Sequence, residues 1–117
     1  MNILFVTRFY PDSRIGGIER VTGLLSKCFY NQGLQVYCLH FEKSKYDGSL
    51  DNIVHACHLK DLYDKEWIKD YLTKNNINVV INQSHFFYAP FLSSVVHEIG
   101  AKLITCCHSS TSMKTIS

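Results

Sequence analysis

Two adjacent glycines, Gly16 and Gly17, are the residues best suited to chemistry in this sequence. They follow an apolar run, residues 3–7, by about nine positions and directly precede a helical pattern that begins at Ile18. Free backbone N–H groups and the positive end of a helix dipole meet at such a point, and glycine lets a ligand approach the backbone closely. We therefore expect an anion site here. The alternative is a flexible helix entry that binds nothing, which Glu19 favours slightly because its carboxylate already complements the dipole.

Three more polar residues stand just after predicted strands. Arg8 follows the first strand, His85 follows the fourth, and His108 follows the last. A histidine at a strand end can hydrogen-bond a ligand hydroxyl or phosphate, and its charge can change near neutral pH. Arginine binds phosphate with charge-assisted hydrogen bonds. Each residue also has a structural alternative, as a satisfied histidine or a solvated surface arginine.

Several familiar site patterns are missing from the chain. Neither the dinucleotide fingerprint G-x-G-x-x-G nor the phosphate-loop pattern G-x-x-x-x-G-K-[ST] occurs. His55, Cys57 and His58, and likewise residues 106–108, lack the C-x₂₋₄-C or H-x₃₋₅-H spacing of zinc sites. We therefore expect no metal. The aromatic run at residues 86–88 is expected to pack in the core and at a helix start rather than to form a ligand platform.

Strand-length apolar runs alternate with helical patterns along the chain. Strands are predicted at residues 3–7, 35–41, 53–59, 77–82 and 102–107, and helices at residues 18–32, 60–76 and 89–99. This alternation implies right-handed crossovers and a mainly parallel sheet within a three-layer α/β domain. We predict the strand order 3-2-1-4-5, in which the winding direction reverses between the first and fourth strands. Ligands of such sheets bind outside the carboxyl ends of the strands at that reversal.

The position at which the winding direction reverses selects the same residues as their types and spacing do. It brings the loop at residues 8–17, residues 82–85 and His108 to one crevice.

Each helix also carries an apolar stripe that predicts its buried face. For the first helix this stripe consists of Ile18, Val21, Leu24, Leu25, Cys28 and Phe29.

Composition places the chain among ordinary globular domains. Its 117 residues, of which 46% are hydrophobic and 19% charged, predict a single domain spanning residues 1–117 with its own core. A formal charge of +2 gives no reason to expect a nucleic-acid partner. The five cysteines are expected to be reduced and to pack in the core as small hydrophobic residues. With no visible leader at Met1–Asn2 and no apolar stretch of about 18 residues, the sequence predicts a cytoplasmic protein.

Several segments of the chain resemble a known family of enzymes. Residues 3–22, with their Gly-Gly pair and following helix, look like the opening of the retaining GT-B glycosyltransferases of group 1 (family 4-like), which use nucleotide-sugars. The similarity continues in order at residues 82–85, at the helix that opens with Ala89-Pro90, and at residues 103–111. In that family the fifth strand commonly ends in a His-Ser or His-Thr step, as it does here at His108 and Ser109. The similarity covers essentially the whole chain.

The resemblance implies an architecture and a set of roles. Such enzymes have two facing Rossmann-like domains, of which the amino-terminal one mostly binds the acceptor and the other binds the nucleotide. Gly16 and Gly17 would face the donor diphosphate, and His108 would lie beside the transferred sugar as the catalytic residue. Arg8, His85 and Ser109 would be further donor or acceptor contacts. No cofactor or metal is implied beyond the nucleotide-sugar co-substrate.

The family's second domain has no counterpart in these residues. We therefore expect the chain to be one half of a GT-B enzyme that is inactive alone and depends on a carboxyl-terminal domain or a partner subunit. The acceptor remains open among sugars, polysaccharides and lipid-linked sugars, with a peripheral position at the inner face of the membrane compatible with the last. The alternatives are a non-catalytic module that binds a nucleotide or another small ligand, and one subunit of a split glycosyltransferase.

Overall fold

A computed structural model describes residues 1–11, 17–42 and 48–106, and of Phe86 the backbone. In chain order the elements are β1 (Asn2–Thr7), α1 (Gly17–Asn31), β2 (Gln35–His40), β3 (Val54–His58), α2 (Lys65–Lys74), β4 (Val79–Asn82), a 3₁₀ turn (Phe86–Tyr88), α3 (Ala89–Glu98) and β5 (Lys102–Thr105). These elements agree in type and order with the sequence prediction. The main difference is that α2 begins five residues later than expected, because Asp64 caps it by accepting a hydrogen bond from the backbone N–H of Trp67.

The five strands form one parallel sheet in the order β3-β2-β1-β4-β5. This confirms the predicted order and the reversal between β1 and β4. In register, Phe5 of β1 lies between Cys38 of β2 and Ile81 of β4. All five strands are parallel, so their carboxyl ends lie along the same edge of the sheet. Arg8 and His85, the described site residues that follow β1 and β4, are thereby directed to that edge.

Two apolar clusters cover the two faces of the sheet. Leu4, Val6 and Val80 pack with the buried residues of α2 and α3 on one face. Phe5 and Cys38 belong to the other cluster, and the Phe29 ring of α1 stacks on Phe5 at 6.1 Å between centroids. Alternate residues of β1 thus point to opposite faces, and both are buried, which explains the unbroken apolar run of the sequence.

The buried face of α1 is not the one that its apolar stripe predicted. The helix buries Glu19, Thr22, Gly23 and Ser26, whereas Val21 and Leu24 are 46% and 60% exposed. The reason lies in close packing, since a Cβ at Gly23 would stand 2.8 Å from the backbone oxygen of Pro11. The Thr22 and Ser26 hydroxyls donate hydrogen bonds to backbone oxygens one turn earlier in the helix, at 2.8 Å each, and this offsets the cost of burying them.

The cysteines follow the prediction only in part. The four within the described residues are free thiols: Cys38 is buried and Cys57 and Cys106 are half-buried, but Cys28 is exposed on α1. Burial raises the pKa of the Cys38 thiol to about 12, so this side chain acts as a packing group rather than a nucleophile. In the described ranges no helix has both the length and the apolar character needed to cross a membrane.

Candidate functional site

A cavity of about 300 Å³ lies at the reversal between β1 and β4. Three segments line it: Arg8 and Phe9 after β1, residues 17–19 at the start of α1, and residues 83–85 after β4. The end of β1 and the end of β4 are adjacent, since the Gln83 backbone N–H donates to the Val6 oxygen at 2.8 Å. We call this cavity the reversal crevice. It brings together the predicted site residues Arg8 and Gly17, at the two ends of one loop, and His85 from a distant part of the sequence.

Asn82 fixes the shape of the loop after β4. Its side chain is fully buried, and its Oδ1 accepts hydrogen bonds from the backbone N–H of Ser84 at 3.0 Å and from the Ser84 hydroxyl. Its Nδ2 donates to the backbone oxygen of His85 at 3.3 Å. An asparagine that bonds its own following turn in this way holds Ser84 and His85 in one orientation at the crevice. Sequence reasoning included this residue in the crevice segment but not its positioning role.

The Arg8 and His85 side chains at the crevice both already have partners within the protein. The Arg8 guanidinium forms an ion pair with Glu42 and lies 5.0 Å from the centroid of the Phe9 ring. The His85 ring stacks on Phe87 with 5.0 Å between centroids. Phe87 is 73% exposed while Tyr88 is buried, so the expectation of core packing for this aromatic run is right for Tyr88 and wrong for Phe87.

Gly17 gives the crevice an open backbone surface. It is the first residue of α1, and within the described residues a Cβ built on it would meet no atom within 4 Å apart from its own chain neighbours and helix backbone. The first N–H groups of a helix have no partner within the helix, and the helix dipole adds positive potential at the same place. The crevice can therefore accept an anionic or hydroxylated group beside Gly17, with Arg8 as a neighbouring cation.

Glu19 is the lining residue whose role sequence reasoning missed. Its side chain is only 5% exposed although it is a carboxylate. Burial raises the pKa of Glu19, and a hydrogen bond from its own backbone N–H and the Arg8 charge offset part of that effect. A buried carboxyl with a raised pKa in a cleft is a frequent mark of functional sites. The signal in the sequence was its position in the first helical turn next to the glycines.

The raised pKa of Glu19 predicts a pH dependence of folding. The folded protein holds this proton more tightly than the unfolded chain, so folding is favoured at low pH and loses that advantage as pH rises from the ordinary value of 4.5 through the raised pKa. We expect Glu19→Gln to increase the free energy of unfolding more at about pH 7 than at about pH 4. Urea unfolding at both pH values measures this. Glu66→Gln, at an exposed position in the first turn of α2, is the control and should not gain stability at pH 7, because its solvated carboxylate complements the helix dipole.

Three of the predicted site residues, Gly16, His108 and Ser109, lie outside the described residues. Their roles stay predictions. Among the described residues, no group of three or more His, Cys, Asp or Glu side chains is arranged to hold a metal ion.

Comparison with known proteins gives a structural neighbour. No protein-family model and no curated protein matches the chain. Among solved structures, the apo form of a saccharopine dehydrogenase (L-Glu forming) from Saccharomyces cerevisiae superposes with a TM-score of 0.61 at 16% sequence identity. The match covers 98% of this chain and 23% of the dehydrogenase chain.

At this identity the likeness concerns the fold alone. The parallel sheet of order 3-2-1-4-5 with helices on both faces, and the whole-chain superposition, define a Rossmann-like α/β domain. The chain spans about a quarter of the neighbour's length.

Proposed function

We propose that this domain is the acceptor-side half of a retaining GT-B glycosyltransferase that moves a sugar from a nucleotide-sugar donor. The observation that carries the proposal is Gly17, which begins α1 at the reversal crevice with open space in front of its Cα. The sequence resemblance adds to it, because the motif at residues 16–17 and the His-Ser step at residues 108–109 both follow strands whose carboxyl ends lie on this edge.

In this proposal the donor diphosphate lies against the backbone at Gly16 and Gly17. The positive end of the α1 dipole and the Arg8 guanidinium, which exchanges Glu42 for the diphosphate, offset part of its charge, and no metal ion is expected. His85 donates a hydrogen bond to a donor or acceptor oxygen. His108 and Ser109 take the same kind of role beside the transferred sugar.

Glu19 opposes diphosphate binding, because its carboxylate competes for the same helix end. The raised pKa of Glu19 reduces this conflict, since protonating the side chain when an anion arrives costs less than for an exposed glutamate. The crevice is therefore expected to bind diphosphates more tightly as pH falls. Binding and protonation are then linked at one residue.

The resemblance implies that the nucleotide is held mainly by a second domain. We therefore expect transfer to need a second, nucleotide-binding half, from further polypeptide or from a partner subunit. The acceptor is a sugar, a polysaccharide or a lipid-linked sugar, and no nucleic acid takes part. The alternative is a module that binds a nucleotide without transfer.

The test compares the 117-residue chain with the same chain expressed together with the sequence that follows it in its reading frame. UDP-, GDP- and ADP-sugars are supplied, and release of the nucleoside diphosphate is measured. We expect turnover only with the second half present. Turnover by the chain alone would contradict the dependence on a second half. Nucleotide binding without transfer in the longer protein would contradict the enzyme and favour the binding module.

A further inference from the structure

A second cavity, of about 380 Å³, lies beside β3, the outer strand at the end of the sheet away from β4 and β5. It opens between the end of β3 and the start of α2, and its lining consists of Cys57, His58, Leu59, Lys60, Asp61, Asp64 and Trp67. This volume falls within the range of about 300–1,000 Å³ that is typical of small-molecule sites. We call it the β3 cavity. It shares no lining residue with the reversal crevice.

Trp67 forms the aromatic wall of the β3 cavity. Its ring is held by stacking on Tyr71, one helical turn later, with 5.4 Å between centroids and 15° between ring planes. Trp67 nevertheless remains 39% exposed, while Ile68 and Leu72 of the same helix are buried. An indole ring fixed on one side and open to a cavity is an apolar surface ready to stack against a flat ligand.

Two aspartates provide hydrogen-bond acceptors at the same cavity. Oδ1 of Asp61 accepts from the Tyr63 backbone N–H at 3.0 Å, and Oδ1 of Asp64 accepts from the Trp67 backbone N–H at 3.1 Å. These bonds fix both carboxylates. The second oxygen of each receives no hydrogen bond from the described residues, so a ligand donor can use it.

Lys60 adds a cation to the polar lining of the cavity. With two carboxylates and one ammonium group, the lining carries a net negative charge, which disfavours phosphates and nucleotides. A quaternary ammonium ligand would need an aromatic cage, whereas this lining offers one aromatic ring and a repelling lysine. A neutral ring with hydroxyl groups can use both the aromatic wall and the carboxylate acceptors without placing a second cation beside Lys60.

We propose that the β3 cavity binds the ring of a neutral saccharide. The C–H face of the sugar stacks on the Trp67 indole, adjacent hydroxyls donate hydrogen bonds to Asp61 and Asp64, and the Lys60 ammonium donates to a hydroxyl oxygen. Binding is a property of the cavity itself. Only the role of this saccharide as the acceptor, or as a further unit of an acceptor chain, rests on the proposed function.

The experiment uses the 117-residue chain and four methyl glycosides, of glucose, mannose, galactose and N-acetylglucosamine. Saturation-transfer NMR detects which sugar protons touch the protein, and tryptophan fluorescence reports on the cavity directly because Trp67 is the one tryptophan of the sequence. We expect saturation of sugar C–H protons and a saturable fluorescence change for at least one glycoside.

Variants separate stacking from hydrogen bonding. Trp67→Leu keeps an apolar side chain but is expected to weaken binding by about tenfold or more, since tenfold corresponds to about 1.4 kcal/mol of lost contact. Asp64→Asn keeps an acceptor that caps α2 and is expected to weaken binding roughly three- to tenfold. Tyr30→Leu, an exposed aromatic on α1, is the matched control and should leave binding unchanged.

Several outcomes would overturn this assignment. They are the absence of a Trp67-dependent signal with all four glycosides, equal binding by wild type and Trp67→Leu, and tighter binding of phosphocholine or AMP than of any glycoside. Failure here and failure of the proposed function are distinguishable. Saccharide binding with no transfer in the longer protein would contradict only the enzyme, while transfer without saccharide binding at Trp67 would contradict only this cavity.

Discussion

If the proposed function is right, Gly17→Val is expected to lower the turnover of the proposed transferase, with its second half present, by on the order of 100-fold while leaving the fold unchanged, because losing or displacing one charge-stabilising contact costs about that much. Among the described residues, a Cβ at this position meets no atom within 4 Å beyond its own chain neighbours and helix backbone, so the added isopropyl group would occupy the crevice instead of straining the domain. Valine also has a higher helix propensity than glycine. Turnover at saturating nucleotide-sugar, alongside the midpoint of urea unfolding, measures both effects.

A graded series makes the Gly17 result specific. Gly17→Ala adds one methyl group and should lie between wild type and Gly17→Val in turnover. Lys27→Val introduces the same side chain at an exposed position of α1, away from the crevice, and is expected to keep full activity. Equal turnover for Gly17→Val and Lys27→Val would remove Gly17 from the donor site. A lowered unfolding midpoint for Gly17→Val would instead mean that the open space in front of its Cα is needed for folding.

The centre of the sheet could be predicted because β1 is buried on both faces. Such strands appear in the sequence as continuous apolar runs, and alternation with helices leaves few possible orders. The carboxyl ends then fall on one edge without any knowledge of side-chain contacts. For this reason the meeting of Arg8, Gly17 and His85 at the reversal crevice followed from topology alone.

The buried face of α1 could not be predicted from its apolar stripe. The stripe shows which side of the helix is apolar, but the side that is buried depends on how closely the neighbouring chain packs against the helix. Here the neighbour is backbone: the chain at Pro11 approaches so closely that only a glycine fits opposite it. Thr22 and Ser26 can follow it into the interior since they hydrogen-bond within their own helix. The same close approach buries Glu19 in the crevice, so the unexpected helix face and the unexpected site residue have one cause.

The polar contacts that hold the crevice loops could not be predicted from the sequence pattern either. Asn82 binds the turn that follows it, and Arg8 pairs with Glu42 more than thirty positions away. Neither contact repeats with a helical or strand period. The β3 cavity was missed for a similar reason, because the sequence pattern gives no sign that the side chain of Trp67, in the first turn of α2, stays partly exposed.

Tyr10 anchors the chain after β1, and its replacement is expected to have the largest effect on stability. Its ring is 1% exposed. The hydroxyl donates to Oδ1 of Asp51 at 2.8 Å and accepts from the backbone N–H of Leu50 at 2.7 Å. Burial, together with Asp51, raises the pKa of Tyr10 above its ordinary value, so the hydroxyl stays a donor throughout the neutral range.

Tyr10→Phe removes both hydrogen bonds and leaves the buried Leu50 N–H without this partner. We expect a loss of about 1–3 kcal/mol in the free energy of unfolding. Tyr10→Ala also opens a cavity and should cost about 3–5 kcal/mol, a large part of the 5–15 kcal/mol that is typical of a whole domain. Urea unfolding followed by far-UV circular dichroism measures both. Tyr30→Phe, at an exposed position of α1, is the control and should change stability by less than about 0.5 kcal/mol.

The Tyr10 series also tests whether the crevice depends on this anchor. Tyr10 lies two residues after Arg8, and its partners Leu50 and Asp51 belong to the segment that leads into β3. Asp51→Asn keeps an acceptor for the hydroxyl and should therefore cost less than Tyr10→Phe. If Tyr10→Phe were as stable as wild type, the two hydrogen bonds would contribute nothing net. The position of the chain at Arg8 would then be set by the ring and by the backbone of β1 alone.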